Sequence, residues 1–87
     1  MSNDEIKDLV STSSALVGAR QVEKHIIKDA LRCVIVSFDA DGHIRARLAA
    51  LCAKHNVELV DGPPMNEFGR LCGIEVGASA AGILKSR

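Results

Sequence analysis

The sequence predicts an α/β fold, a three-layer α-β-α sandwich with a small mixed four-stranded sheet. The spacing of apolar residues switches repeatedly between the helical period and short β-branched runs, and alternating helices and strands of these lengths predict such layers. Hydrophobic residues make up 47% of the 87 residues but aromatic residues only 2%, so an aliphatic core is expected. This length suits a single domain, and we expect residues 1–87 to form one.

The first half of the chain predicts two helices and two strands. Apolar spacing predicts one helix that ends near residue 11 and a second helix over residues 19–29. A short strand is predicted at residues 15–17. Residues 33–37 form a β-branched run, which is typical of a strand covered on both faces. The apolar face of the second helix is expected to carry Val22, Ile26, Ile27 and Ala30.

The second half predicts two further helices and two further strands. The helices are expected at residues 43–55 and 65–72, and the strands at residues 57–60 and 78–84. Residues 61–64 are rich in turn formers and predict an irregular connection. The longer helix is expected to turn one set of residues inwards and to leave another set in water. The inward set is Ile44, Leu48, Leu51 and Cys52, and the outward set is Arg45, Arg47 and Lys54.

Charge and cysteine content narrow the class of protein. Acidic and basic residues balance at 11 each, so no overall positive field indicates nucleic acid. Locally, residues 18–32 hold four basic residues against two acidic ones. Three cysteines without a C-x-x-C pair predict reduced thiols in a cytoplasmic protein, with Cys33 and Cys52 on core faces. No apolar run reaches the 18 residues of a membrane span, and we expect no membrane association.

The first candidate site is the turn from the first strand into the second helix. Gly18 allows a sharp turn, and the helix that follows begins with free N–H groups and a positive dipole end. Arg20, Gln21 and Lys24 lie on one face of its first turns. Arg and Lys donate to guanine edges or phosphates, and a Gln amide can read a base edge. A solvated helix start, without any ligand, explains the same pattern.

The second candidate site is the loop expected at residues 73–77. Ile74 and Val76 flank Glu75 between two glycines, and apolar residues are unusual in a loop that only faces water. They could pack on an unstacked base, which is how distorted RNA is usually read. The other interpretation is that both side chains return to the core.

The sequence contains no recognisable motif for catalysis, for cofactor binding or for metal binding. Residues 39–42 begin like a calcium loop, but its twelfth position is Ala50 and not glutamate. His25, His43 and His55 lack metal-ligand spacing with one another or with the cysteines. Neither a G-x-G-x-x-G nor a P-loop lysine motif occurs. We therefore expect no enzyme, no cofactor, no metal ion and no small-molecule substrate.

Four segments in order resemble a known family. They are G-A-R-Q-V-x-K at residues 18–24, D-A-D at 39–41, L-C at 51–52 and E-F-G-R-L-C-G-I-E-V-G-A at 67–78. This order resembles the kink-turn-binding family of ribosomal protein seven-Ae-like proteins, in its short bacterial branch. The resemblance covers residues 16–84. It implies the same sandwich fold and a partner RNA that contains a kink-turn, such as a ribosomal RNA or an mRNA leader.

The resemblance also implies roles for particular residues. Side chains after the glycine would contact the guanines of sheared G·A pairs, and the loop at residues 74–76 would pack around a flipped base. Many members carry Asn then Glu where this chain has Arg20 and Gln21. The protein would act as a monomer without chemistry, and a protein-interaction module on the same fold is the alternative. The RNA-binding residues implied are Gly18, Ala19, Arg20, Gln21, Lys24, Lys28, Arg70, Ile74, Glu75 and Val76.

Overall fold

Helices and strands alternate through the chain, as the apolar pattern predicts. The structure, a computed structural model, describes residues 3–12, 15–71 and 79–85. The elements in order are α1 (Asn3–Thr12), β1 (Ala15–Val17), α2 (Ala19–Ile27), β2 (Leu31–Ser37), α3 (Gly42–His55), β3 (Glu58–Gly62), α4 (Met65–Leu71) and β4 (Ala80–Leu84). No helix in these described ranges is long and apolar enough to cross a membrane.

The four strands form one mixed sheet in the order β1-β4-β2-β3. Strands β2 and β3 are parallel, and β4 runs antiparallel to both β1 and β2. The carboxyl ends of β1, β2 and β3 therefore meet the amino end of β4 at one edge of the sheet. We call this the carboxyl edge, made of residues 18–20, 38–42, 62–64 and 79–80. Ligands of α/β sheets bind most often at such an edge.

Helices cover both faces of the sheet, which confirms the predicted α/β sandwich. One buried cluster joins α2 and α3 to the sheet through Val22, Ile26, Leu48, Cys52 and the even-numbered valines of β2. A second cluster, on the other face, joins α1 and α4 to the sheet through Ile6, Ile35, Phe68 and Ala81. Successive residues of β2 point to opposite faces, so that strand contributes to both clusters.

The predicted end of α2 is wrong by two residues. The helix ends at Ile27, Lys28 caps it, and Asp29 adopts a left-handed conformation with φ 56°. Ile27 is the last residue of the helix and lies about 100° around its axis from the buried Ile26, so it does not reach the core and its residue surface is 56% exposed. The N–H of Ala30 donates to the carbonyl of His25, which closes the helix end at 3.0 Å. Apolar spacing alone did not predict this early stop.

Four strand boundaries also differ from the prediction. β3 begins at Glu58 rather than residue 57, and β4 begins at Ala80 rather than residue 78. β2 begins at Leu31 rather than residue 33, and β3 continues to Gly62 rather than ending at residue 60. Gly62 pairs with Ser37 and packs so closely that a Cβ there would lie 2.9 Å from Cγ2 of Ile35. The glycine that predicts a turn in the sequence is thus the residue that lets β3 approach its neighbour.

Candidate nucleic-acid interface

The start of α2 leaves backbone donors available at the carboxyl edge. Gly18 is the N-cap residue, with φ 111° and ψ 137°, and it provides no side-chain cap. The N–H of Gly18 donates to the carbonyl of Ala80, and the N–H of Val22 makes the first helical bond, to the carbonyl of Gly18. The N–H groups between them, on residues 19–21, have no acceptor within the helix. They carry the positive end of the helix dipole, which favours an anion or an acceptor group.

Polar side chains cover the outer face of α2 as the sequence predicts. Arg20, Gln21 and Lys24 are exposed, while Val22 and Ile26 on the inner face are fully buried. Positions four apart are neighbours on a helix, so Arg20 and Lys24 form one patch at its start. Within residues 3–12, 15–71 and 79–85, no ion pair joins Arg20, Lys24 or Lys28 to another side chain. We call Arg20, Gln21 and Lys24 the α2 patch.

The acidic residues near α2 are bound to α3 instead of to the α2 patch. Glu23 pairs with the Nε of Arg47, and Oδ1 of Asp29 lies 3.0 Å from Nδ1 of His55. These pairs direct the negative charges of residues 18–32 towards α3. Among the described residues the cations of the α2 patch therefore have no acidic partner, which leaves them able to bind an external anion although the chain as a whole is neutral.

A small depression of about 120 Å³ lies between α2 and α3. Its walls are formed by Ala19, Glu23, His43, Ile44, Arg47 and Leu48. The two charged residues of opposite sign in this lining are paired with each other. No group of three or more His, Cys, Asp or Glu residues in the described ranges could hold a metal ion.

Arg45 links three elements near the carboxyl edge, which are α3 and the ends of β2 and β3. Its Nη1 donates to the backbone carbonyl of Ser37 at 2.7 Å, and its Nη2 donates to Oδ1 of Asp61 at 2.9 Å. The side chain is only 33% exposed, so the expectation that Arg45 would stay in water is only partly right. Its fork links the ends of β2 and β3 to α3 and stabilises the edge on which the α2 patch lies.

The structure brings five of the ten predicted site residues together and places two others, Lys28 and Arg70, away from them. Lys28 lies at the far end of α2 and is exposed. Arg70 is exposed in the last turn of α4, on the opposite face of the sheet. The residues that lie together, at the carboxyl edge and in the first two turns of α2, are Gly18, Ala19, Arg20, Gln21 and Lys24.

Three predicted residues, Ile74, Glu75 and Val76, fall outside the described ranges. The chain is described again from Ser79, whose carbonyl accepts from the N–H of Ser37 at 2.8 Å. The next residue, Ala80, accepts from Gly18. Ser79 and Ala80 therefore fix the start of β4 at the carboxyl edge, beside the start of α2.

The described cysteines belong to the core, as the sequence predicts. Cys33 and Cys52 are both buried and unpaired. Burial raises the pKa of the Cys52 thiol above its usual value of 9.0, and the nearby Cys33 raises it further. Burial also raises the pKa of Cys33, against the opposing effect of Arg32. Thiols with raised pKa values are weak nucleophiles, so both side chains act as packing groups.

Phe38 is a surface residue that the sequence does not single out. It follows β2 directly and is 59% exposed at the carboxyl edge. Its signal in the sequence is its position, since it is a large apolar residue between the predicted strand at residues 33–37 and the acidic turn at residues 39–42.

Relatives of this chain are described as RNA-binding proteins. An RNA-binding protein of Bacillus pumilus (strain SAFR-032) is 31% identical over 84 residues, which are 97% of this chain and 99% of that protein. An RNA-binding protein of Caldanaerobacter subterraneus subsp. tengcongensis is 33% identical over 66 residues, which are 76% of this chain and 80% of that protein.

Solved structures share the fold. A 15.5kD RNA binding protein of Giardia lamblia has a TM-score of 0.82 and 28% identity, over 93% of this chain and 68% of that chain. A protein of unknown function from Bacillus halodurans has the same TM-score at 21% identity, over 93% of this chain and 81% of that chain. A model of one protein family matches residues 2–87, nearly the whole chain. This chain belongs to the Ribosomal protein L7Ae/L30e/S12e/Gadd45 family.

Proposed function

We propose that this protein is a non-catalytic RNA-binding protein that recognises and stabilises kink-turns through the start of α2. The observation that carries the proposal is the α2 patch, a set of exposed donors that form no ion pair with any described residue, beside backbone N–H groups that have no acceptor within the helix. Two relatives described as RNA-binding proteins support the same class of ligand. We further propose a cytoplasmic monomer that serves a ribosomal RNA or an mRNA leader.

The chemistry of the α2 patch fits the edges of guanines in sheared G·A pairs. Arg20 and Lys24 carry only donors, which match the O6 and N7 acceptors of guanine. Gln21 offers both an acceptor and donors through its amide. Gly18 leaves open space at the helix start, because a Cβ built there would have no atom within 4 Å. An RNA strand can therefore approach the backbone closely at this point.

Binding without chemistry is sufficient for such a function. An RNA that samples straight and kinked forms shifts towards the form that the protein binds more tightly. The extent of the shift is set by the difference between the two affinities. The buried Val22 and Ile26 hold the helix against the sheet, so the side chains of the α2 patch extend from fixed backbone positions, which favours one RNA shape over another.

The direct test is a gel-shift titration with two RNA hairpins. One hairpin contains a kink-turn with tandem G·A pairs, and the other has those pairs replaced by G·C pairs at the same length. We expect binding to the first and at least tenfold weaker binding to the second. Equal affinity for both hairpins would show non-specific binding and contradict the proposal.

The neutral overall charge favours one other function, a protein-interaction module on the same fold. Such a module would bind neither hairpin. The gel-shift titration therefore separates the two functions: binding to the kink-turn hairpin supports the RNA-binding protein, and binding to neither hairpin supports the protein-interaction module.

A further inference from the structure

Phe38 is an exposed aromatic side chain with a fixed backbone. The chain has two aromatic residues, and the other, Phe68, is fully buried in the core. The N–H of Phe38 donates to the carbonyl of Gly62 at 3.3 Å, and β2 ends at the preceding residue. The backbone that carries the ring is therefore anchored between the ends of two parallel strands, while the exposed ring does not belong to the core.

The strand register places Phe38 at the same edge of the sheet as the start of α2. Ala80 accepts from the N–H of Gly18 on one side and pairs with Val36 on the other, so Gly18 and Val36 lie opposite each other across β4. Two strand spacings separate their backbones by roughly 10 Å. Phe38 follows Val36 by two residues, and Arg20 follows Gly18 by two residues, so both lie at the carboxyl edge. The spacing between Gly18 and Val36 corresponds to about three stacked nucleotides of one strand.

The charges at the carboxyl edge differ between its two halves. The half near α2 carries cations that form no ion pair with the described residues, while the half near Phe38 carries Asp39 and Asp41. The two carboxylates are held in place by backbone donors: Asp39 accepts from the N–H of Met65 at 2.9 Å, and Asp41 accepts from the N–H of His43 at 2.8 Å. A phosphate is repelled by such neighbours, whereas the uncharged face of a base is not. An aromatic ring among fixed carboxylates thus suits a base.

We propose that Phe38 is a stacking platform for an unpaired base of the same RNA whose phosphates and guanines contact the α2 patch. This inference rests on the proposed function, and it assigns two separate RNA contacts to the carboxyl edge. The α2 patch binds the bent duplex, and Phe38 stacks on a nucleotide that leaves it. Aromatic residues are the usual partners of unstacked bases in RNA.

The absence of tryptophan and tyrosine from the sequence allows a direct test. In Phe38→Trp the introduced indole is the only one in the protein, so its fluorescence reports on that position alone. The matched control is Ile27→Trp, because Ile27 has nearly the same exposure, 56%, at the other end of α2. Titration with the kink-turn hairpin should quench the fluorescence of Phe38→Trp strongly and leave that of Ile27→Trp nearly unchanged.

The second part of the test changes the RNA instead of the protein. A kink-turn hairpin with abasic sites at its unpaired positions should bind Phe38→Trp without the quenching. In the same titrations Phe38→Ala should weaken binding to the intact hairpin by at least about fivefold, and should leave binding to the abasic hairpin unchanged. The melting temperature should not change, because the ring is exposed.

The outcomes separate this inference from the proposed function. If the kink-turn hairpin binds Phe38→Trp but does not quench its fluorescence, Phe38 is not a stacking platform, and the proposed RNA binding by the α2 patch is unaffected. If the wild-type protein binds neither hairpin, the proposed function fails and the platform fails with it. A change in the fluorescence of Phe38→Trp upon dilution without RNA would assign Phe38 to self-association and overturn the inference.

Discussion

The backbone N–H of Gly18 donates to the carbonyl of Ala80 at 2.9 Å, and this bond fixes the start of α2 to the first residue of β4. Gly18 has φ 111°, which is accessible to glycine but strained for other residues. One residue thus completes a strand-to-helix turn and joins the helix start to the sheet. The geometry of the α2 patch depends on that turn.

Gly18→Ala should destabilise the fold by about 1–3 kcal/mol through backbone strain. A clash contributes nothing, because a Cβ at this position would meet open space. The matched control is Gly42→Ala at the start of α3, where a Cβ also has open space and the backbone is not strained. There the substitution should be neutral or stabilising. Urea denaturation of both variants checks the difference, and equal stability would contradict the role of the positive φ.

The buried thiol of Cys52 should make the stability fall at alkaline pH. Burial raises its pKa above 9.0 in the folded protein, so the unfolded thiol loses its proton first as the pH rises. Stability is therefore complete below pH 9 and declines above it, by up to about 1.4 kcal/mol per pH unit for each protected thiol. Cys52→Ala should reduce this decline, as measured by urea denaturation at neutral pH and near pH 10. The same decline in both proteins would contradict the prediction.

Much of the fold follows from local patterns in the sequence. The inward faces of α2 and α3 are predicted correctly at Val22, Ile26, Leu48 and Cys52, because burial follows the helical period. The end of α2 is not predicted correctly, since the left-handed turn at Asp29 depends on backbone hydrogen bonds that the apolar pattern does not encode. Strand order also required the structure, because pairing across β4 joins residues distant in sequence.

The candidate site was predictable only in part. Arg20, Gln21 and Lys24 are adjacent on one helix, so their common face follows from spacing alone. Phe38 and the pairing of Glu23 with Arg47 involve separate elements that meet only in the folded chain. The free state of the cations on α2 depends on that pairing.

The segment at residues 74–76, which lies outside the described ranges, has its own test. If Ile74 and Val76 cover an unstacked base, replacing both by alanine should leave the melting temperature nearly unchanged. The affinity for the kink-turn hairpin should then fall at least about tenfold. If the two side chains belong to the core, the double variant should instead lose several kcal/mol, roughly 3–5, in stability and keep its affinity per folded molecule. Melting and binding measured on one preparation separate the two interpretations.

The salt dependence of binding should be shallow. With three or four phosphates neutralised by the four basic residues of segment 18–32, the slope of log K against log salt should be roughly −3 to −4. Isothermal titrations at several salt concentrations give this slope. A slope near zero would contradict phosphate contacts by these residues, and a much steeper slope would require a basic surface that the described residues do not form.

Replacing Lys24 tests most directly the central claim, which is that the start of α2 binds the kink-turn. Lys24→Ala removes one donor from the α2 patch, and Lys54→Ala is the control, because Lys54 is an exposed helical lysine near the end of α3. Affinity for the kink-turn hairpin, measured by titration at one salt concentration, should fall by about 1–3 kcal/mol in Lys24→Ala. It should stay within about 0.5 kcal/mol in Lys54→Ala. Unchanged affinity in a folded Lys24→Ala protein, or an equal loss in both variants, would contradict recognition by the start of α2.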